Sequence, residues 1–170
     1  MIVAPRRRGM AVLMAVMLSA SLATLAACSP RTAAPQFDYT LLDGSRASSR
    51  DLRGRVVLVS FWATSCAPCV RAMPQQVETF RRYQARGLQT LAVAMRHDAP
   101  ARVAEFAQRR ELPFAVVIDN TGAIAAAFGD VQSTPTAFLI GADGMLIQRY
   151  DGEIKVEALH RQLDKLLAAT

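Results

Sequence analysis

The sequence predicts an α/β fold, a central mixed sheet flanked by helices. Three observations carry that prediction. Val56–Trp62 and residues 88–95 are continuous, mostly apolar runs, as expected of strands buried on both faces of a sheet. A helical pattern lies between them, and a strand–helix–strand unit makes its two strands parallel. Nearer the C-terminus, Ala142-Asp143-Gly144 joins two further strand-like runs, 137–140 and 145–150, as an antiparallel hairpin would. A chain of 170 residues is long enough for one domain with its own core.

Residues 1–27 read as an export signal. Arg6-Arg7-Arg8 is a charged start, and 11–27 is an apolar run relieved only by Ser and Thr. Leu25-Ala26-Ala27-Cys28 resembles the lipobox of bacterial lipoproteins. That resemblance implies cleavage before Cys28 and a lipid on its thiol. The alternative is an uncleaved membrane anchor, for which the run is short. Either way the domain is expected on the periplasmic side of a bacterial membrane, with outer or inner membrane left open. Residues 28–35 form the expected tether, small residues with Pro30 and Pro35 and no apolar periodicity. Residues 36–170 form the expected domain.

Charge is informative once the leader is set apart. The formal charge is +6, from 20 basic and 14 acidic residues. Three of the arginines and none of the acids precede Cys28, which leaves the rest of the chain near +3. No basic stripe is interleaved with aromatics, so nucleic-acid binding has no support.

In order, residues 37–41 alternate as an edge strand would, and Asp43-Gly44 is a turn signal. Residues 48–52 suggest a short capped helical turn ended by Gly54. After the strand Val56–Trp62 comes Cys66-Ala67-Pro68-Cys69, then apolar residues at helical spacing over 70–85: Val70, Met73, Val77, Phe80 and Tyr83. Pro74 falls inside that helix and should kink it; Gly87 should close it. The strand at 88–95 leads into Met95-Arg96-His97. These three lie at the sheet edge where open α/β folds place their sites, and an ordinary loop is the competing reading. Asp98 is the expected N-cap of a helix over 101–111, with Pro100 in its first turn. A third strand follows at 114–118. Asp119-Asn120-Thr121 can cap a helix over 122–128, and an amphipathic helix over 154–168 closes the chain, with Ile154, Leu159, Leu163 and Leu166 inward.

A Cys-X-X-Cys at a strand-to-helix junction is a redox signature. Its spacing lets two sulfurs close a disulfide across the first helical turn. Unpaired N–H groups and the helix dipole favour thiolate at Cys66, the attacking species in disulfide exchange. Cys69, one turn inside, is placed to resolve a mixed disulfide. A structural disulfide closing so short a loop would add little chain entropy. A zinc site from Cys66, Cys69, His97 and His160 lacks the paired spacing of structural zinc sites.

The stretch from Gly54 through Phe61-Trp62-Ala63-Thr64-Ser65 to Cys69 resembles the active-site strand and turn of the thioredoxin superfamily. It is most similar to the TlpA/ResA-like branch of membrane-tethered thiol-disulfide oxidoreductases. The resemblance runs from about Phe37 to the end. It implies a thioredoxin-like fold with an N-terminal hairpin and a helix–strand insert. It also implies a cis bond at Thr134-Pro135, opposite the cysteines, with Trp62, Thr134 and Pro135 contacting substrate. No cofactor is implied. The implied partners are a protein disulfide substrate and a membrane thiol donor, and the implied process is cytochrome c maturation. Two places depart from the pattern. Ser60 stands where plain thioredoxins hold a buried acid, and Ala67 stands where the ResA pattern has Glu. Both usual carboxylate helpers for the second cysteine are absent. Direction, reductant or oxidant, is not fixed by Ala67-Pro68. Rival readings are a peroxiredoxin-like enzyme, whose Pro-X-X-X-Thr-X-X-Cys pattern is missing, and a copper-delivery module, whose cysteines are spaced more widely.

Overall fold

A computed structural model describes residues 32–168; the expected signal, Cys28 and the start of the expected tether lie outside them. The first described residues are not loose. The Leu146 N–H donates to the Thr32 carbonyl at 2.8 Å, the Ala34 N–H donates to the Gly144 carbonyl at 2.9 Å, and Ala33 bridges Met145.

The expected N-terminal hairpin is β1, Asp38–Thr40, paired antiparallel with β2, Arg46–Ser48. A 3-10 turn, Ser49–Leu52, follows with a capping box. The Ser48 side chain accepts from the turn's backbone, and Asp51 accepts from the Ser48 N–H at 2.9 Å.

The remaining strands are β3 (Val56–Trp62), β4 (Leu88–Ala94), β5 (Ala115–Ile118), β6 (Thr136–Ile140) and β7 (Leu146–Asp151), in the sheet order β5-β4-β3-β6-β7. β3, β4 and β5 are parallel, and β6 and β7 are antiparallel additions, so the sheet is mixed as expected. Every residue of the central strand β3 is buried, which explains why Ser60 is its only polar residue.

Among the described residues four α-helices pack on the sheet: α1 (Ala67–Tyr83), α2 (Pro100–Arg109), α3 (Ala123–Ala127) and α4 (Val156–Leu166). α1 starts three residues earlier than the apolar spacing indicates, because it opens on the exposed Ala67 and the half-buried Pro68, and the buried residue of its first turn is Cys69. Pro74 lies inside it. A 3-10 turn, Gln84–Arg86, and Gly87 at φ 105° end it; that backbone conformation favours glycine. α4 starts after Ile154; Ile154 and Leu166 pack partly buried against the core as expected, and the C-cap Leu167 is buried as well.

The pleat divides the core in two. Val57, Val59, Phe61, Val93, Phe138 and their neighbours face α3 and the N-terminal hairpin. Val56, Leu58, Trp62, Ala92, Ala94 and Leu139 face α1, α2 and α4. Ser60 shares this second face, between Leu58 and Trp62 along β3.

Candidate active site

At the C-terminal end of β3 the chain makes one tight turn, with the Cys66 N–H donating to the Ala63 carbonyl at 3.1 Å, and then enters α1. Cys66 is the N-cap, and its Sγ accepts from the Cys69 N–H at 3.3 Å. The two sulfurs are bonded at 2.01 Å, with Cα atoms 5.2 Å apart. Their environments differ. Cys66 is half-buried beside the exposed Ala67, whereas Cys69 is 4% exposed and packs with Trp62 and Met73. A sulfur at the open end of a 17-residue helix, facing its unpaired N–H groups, is stabilised as thiolate and open to a partner. The inner sulfur can be reached only from its neighbour or from the protein side.

The Thr134–Pro135 bond is cis, as the resemblance implied. Pro135 and Cys69 line the same cavity. Thr134 and Pro135 are half-buried, and among the described residues no turn or loop hydrogen bond engages the Thr134 backbone. The Pro135 carbonyl accepts from the Gly152 N–H at 2.8 Å, tying the end of β7 to the proline turn.

Trp62 sits elsewhere than a substrate contact requires. It is 1% exposed and stacks on Phe106 at 5.1 Å between ring centroids. Its position on the inward face of β3 makes it the wall behind Cys69, closed to a partner.

Asp98 also departs from expectation. Ala99 is the N-cap of α2, and it makes no side-chain cap. Asp98, 7% exposed, instead accepts from the Thr64 hydroxyl at 2.6 Å and from the Thr64 N–H. A buried carboxylate is stable only when such donors surround it. It clamps the loop after β4 to the turn two residues before Cys66. Sequence reading took it for a cap because an acid before Ala-Pro fits that role locally. Its partner is 34 positions away. Met95 is buried, with its N–H on the Trp62 carbonyl at 2.9 Å, while Arg96 and His97 are exposed. His160 lies between α1 and α4, 3.0 Å from the Thr79 hydroxyl and against the Tyr83 ring. The structure therefore does not bring His97 and His160 to the cysteines as a ligand set, and among the described residues no three metal-ligating side chains cluster.

Behind the pair lies a largely apolar cavity of about 50 Å³. Ser60, Cys69, Gln76, Thr79, Pro135 and Glu153 are among its lining residues. Trp62 and Gln76, both on its wall, each hold a buried N–H group without a hydrogen-bond partner. Gln76 and Glu153 carried no signal in the sequence, where each reads as an ordinary polar residue.

The chain is similar to known proteins. The Redoxin family model matches residues 30–167. The thiol-disulfide oxidoreductase ResA of Bacillus thuringiensis subsp. konkukian is 35% identical over 133 residues, covering 78% of this chain and 76% of the relative. ResA of Bacillus subtilis is 28% identical over 127 residues, covering 75% and 70%. The crystal structure of a thiol:disulfide interchange protein of the thioredoxin family from Chlorobium tepidum superposes with a TM-score of 0.75. It is 26% identical and covers 82% of this chain and 98% of that one. On these similarities the chain belongs to the Redoxin family, among the TlpA/ResA-like thiol-disulfide oxidoreductases of the thioredoxin superfamily.

Proposed function

We propose that this oxidoreductase is a membrane-tethered, extracytoplasmic disulfide reductase acting on protein substrates. The observation that carries the reading is the unequal placement of the two sulfurs, Cys66 half-buried at the helix start and Cys69 4% exposed beneath it. In the reduced state the Cys66 thiolate attacks a substrate disulfide, and a mixed disulfide forms as one substrate sulfur leaves. Cys69 then attacks Cys66 Sγ, which closes the Cys66–Cys69 bond and releases the second substrate sulfur as a thiol. The half-buried Thr134, with Pro135 fixed in cis, offers backbone groups to an extended substrate segment beside Cys66.

The oxidised pair must be recharged, and a membrane thiol donor is the partner that fits a domain held at a membrane. A lipid on Cys28, after the lipobox-like Leu25-Ala26-Ala27, would hold it on the periplasmic side. Cytochrome c maturation is the process that the resemblance to the TlpA/ResA-like branch implies for it. The test is the reduction potential of the Cys66–Cys69 pair. A value near about −270 mV, like thioredoxin, supports a reductase. A value near about −120 mV, like a strong disulfide donor, reverses the direction.

A further inference from the structure

We propose that Glu153 accepts the proton of Cys69 when Cys69 resolves the mixed disulfide. The assignment rests on the exchange chemistry above and holds for either direction. Cys69 is 4% exposed, so bulk water does not reach its thiol freely. As a thiol it is a poor nucleophile; it must lose a proton before it can attack. Ser60 and Ala67 offer no base. Glu153 is the one carboxylate lining the cavity against Cys69.

The geometry delivers it there. Gly152, at φ 90°, turns the chain at the end of β7, and its N–H is fixed on the Pro135 carbonyl at 2.8 Å. The next residue is therefore held beside the proline turn. Arg71, two positions after Cys69 on α1, then holds the carboxylate through Nη2 at 3.0 Å. The cavity of about 50 Å³ has room for water, since one molecule needs roughly 10–15 Å³ of such volume. Its wall residues Trp62 and Gln76 carry unpartnered buried N–H groups. Such donors, beside the Ser60 hydroxyl, are the groups that hold water in place. The path runs from Cys69 through cavity water to a carboxylate whose outer side is open; the Glu153 side chain is 53% exposed.

The step balances. The Cys69 S–H bond breaks, the proton passes to the Glu153 carboxylate, and the electron pair stays on sulfur. That sulfur attacks Cys66 Sγ, the Cys66–Cys69 bond forms, and the partner sulfur leaves with the electrons of the broken bond. Glu153 then returns its proton to the leaving thiolate or to solvent. Of the elements around Glu153, α1 supplies Arg71, its own segment supplies Asp151 and Lys155, α4 supplies Glu157 in its first turn, and the 134–135 turn supplies no charge.

The experiment is a stopped-flow reaction of the reduced protein with the aromatic disulfide 5,5′-dithiobis(2-nitrobenzoate). The first thionitrobenzoate released reports attack by Cys66, and the second reports resolution by Cys69. In the intermediate Cys66 is bonded and cannot titrate, so the pH profile of the second release belongs to Cys69 and its acceptor. Glu153→Gln is expected to slow the second release about a hundredfold near neutral pH, the low end of what a positioned base contributes. The deficit should shrink as pH rises and hydroxide takes over, Glu153→Asp should recover part of the rate, and the first release should be unchanged. An unchanged second release, or an equal fall in both phases at every pH, overturns the assignment while leaving the exchange reading intact. Absence of the first release in the parent protein overturns both.

Discussion

The two faces of the sheet are built on different terms. The face covered by α3 and the N-terminal hairpin is closed by aromatic contacts. Phe128 lies 5.6 Å from Phe37, 5.5 Å from Phe61 and 4.7 Å from Phe138, ring centre to ring centre. The face covered by α1, α2 and α4 holds the cavity, Ser60 and the inner cysteine. It also holds Trp62, Gln76 and Thr90, the three residues with buried side-chain polar atoms left unpartnered among the described residues. Unpartnered buried groups cost stability. They gather on the side that carries the disulfide. The aromatic face supplies the rigidity that makes such a face affordable.

The sharpest way to break the comparison is to open the aromatic face. Phe128→Ala should destabilise the domain by about 3–5 kcal/mol, as large-to-small changes in packed cores do. The denaturant midpoint reads the loss, and the reduction potential of the remaining folded protein should stay where it was. A shifted potential would mean that the two faces are not separate in function. A smaller effect is expected at the rim of the reactive face. Asp98→Ala leaves the Thr64 N–H and hydroxyl without their acceptor, at a cost of about 1–3 kcal/mol. Because Thr64 lies just before Cys66, the change should also slow attack by Cys66 several-fold, read as the first release in the same stopped-flow trace. The smallest change should be of opposite sign. Thr90→Val replaces an unpartnered buried hydroxyl with a methyl of similar shape and should raise stability by up to about 1 kcal/mol in thermal melts. Destabilisation there would show that the hydroxyl is satisfied by water and that the reactive face is less strained than its contacts imply.

The sequence showed clearly whatever repeats locally. β3 was readable to the residue because burial on both faces leaves no polar position to blur its ends. The cysteine pair was readable because its spacing and its place after a strand are themselves the chemistry. The start of α1 was blurred because an exposed first turn gives no apolar period. Asp98 and Glu153 were not legible as parts of the site. Each works through a partner far along the chain, Thr64 at 34 positions and Arg71 at 82. Only the folded register brings such residues together, β3 beside β4 for Asp98 and β3, β6 and β7 in order for Glu153, and neither carries a spacing that announces it. Trp62 is the reverse case: the apolar run already places it in a buried strand, while the substrate contact came from the resemblance alone, and the pleat turns the ring inward.

The anchorage of residues 32–34 on the β6–β7 turn gives the molecule a polarity. Phe61 pairs with Thr136 at one end of the sheet and Val57 with Ile140 at the other, so Gly144 and Met145 lie beyond the end away from Cys66. Thr32 and Ala34 are bonded there. A seven-residue strand is about 20 Å long. Thr32 therefore stands at one pole of the sheet while the sulfurs occupy the other, so a partner that engages Cys66 meets the end opposite the bonds that hold residues 32–34.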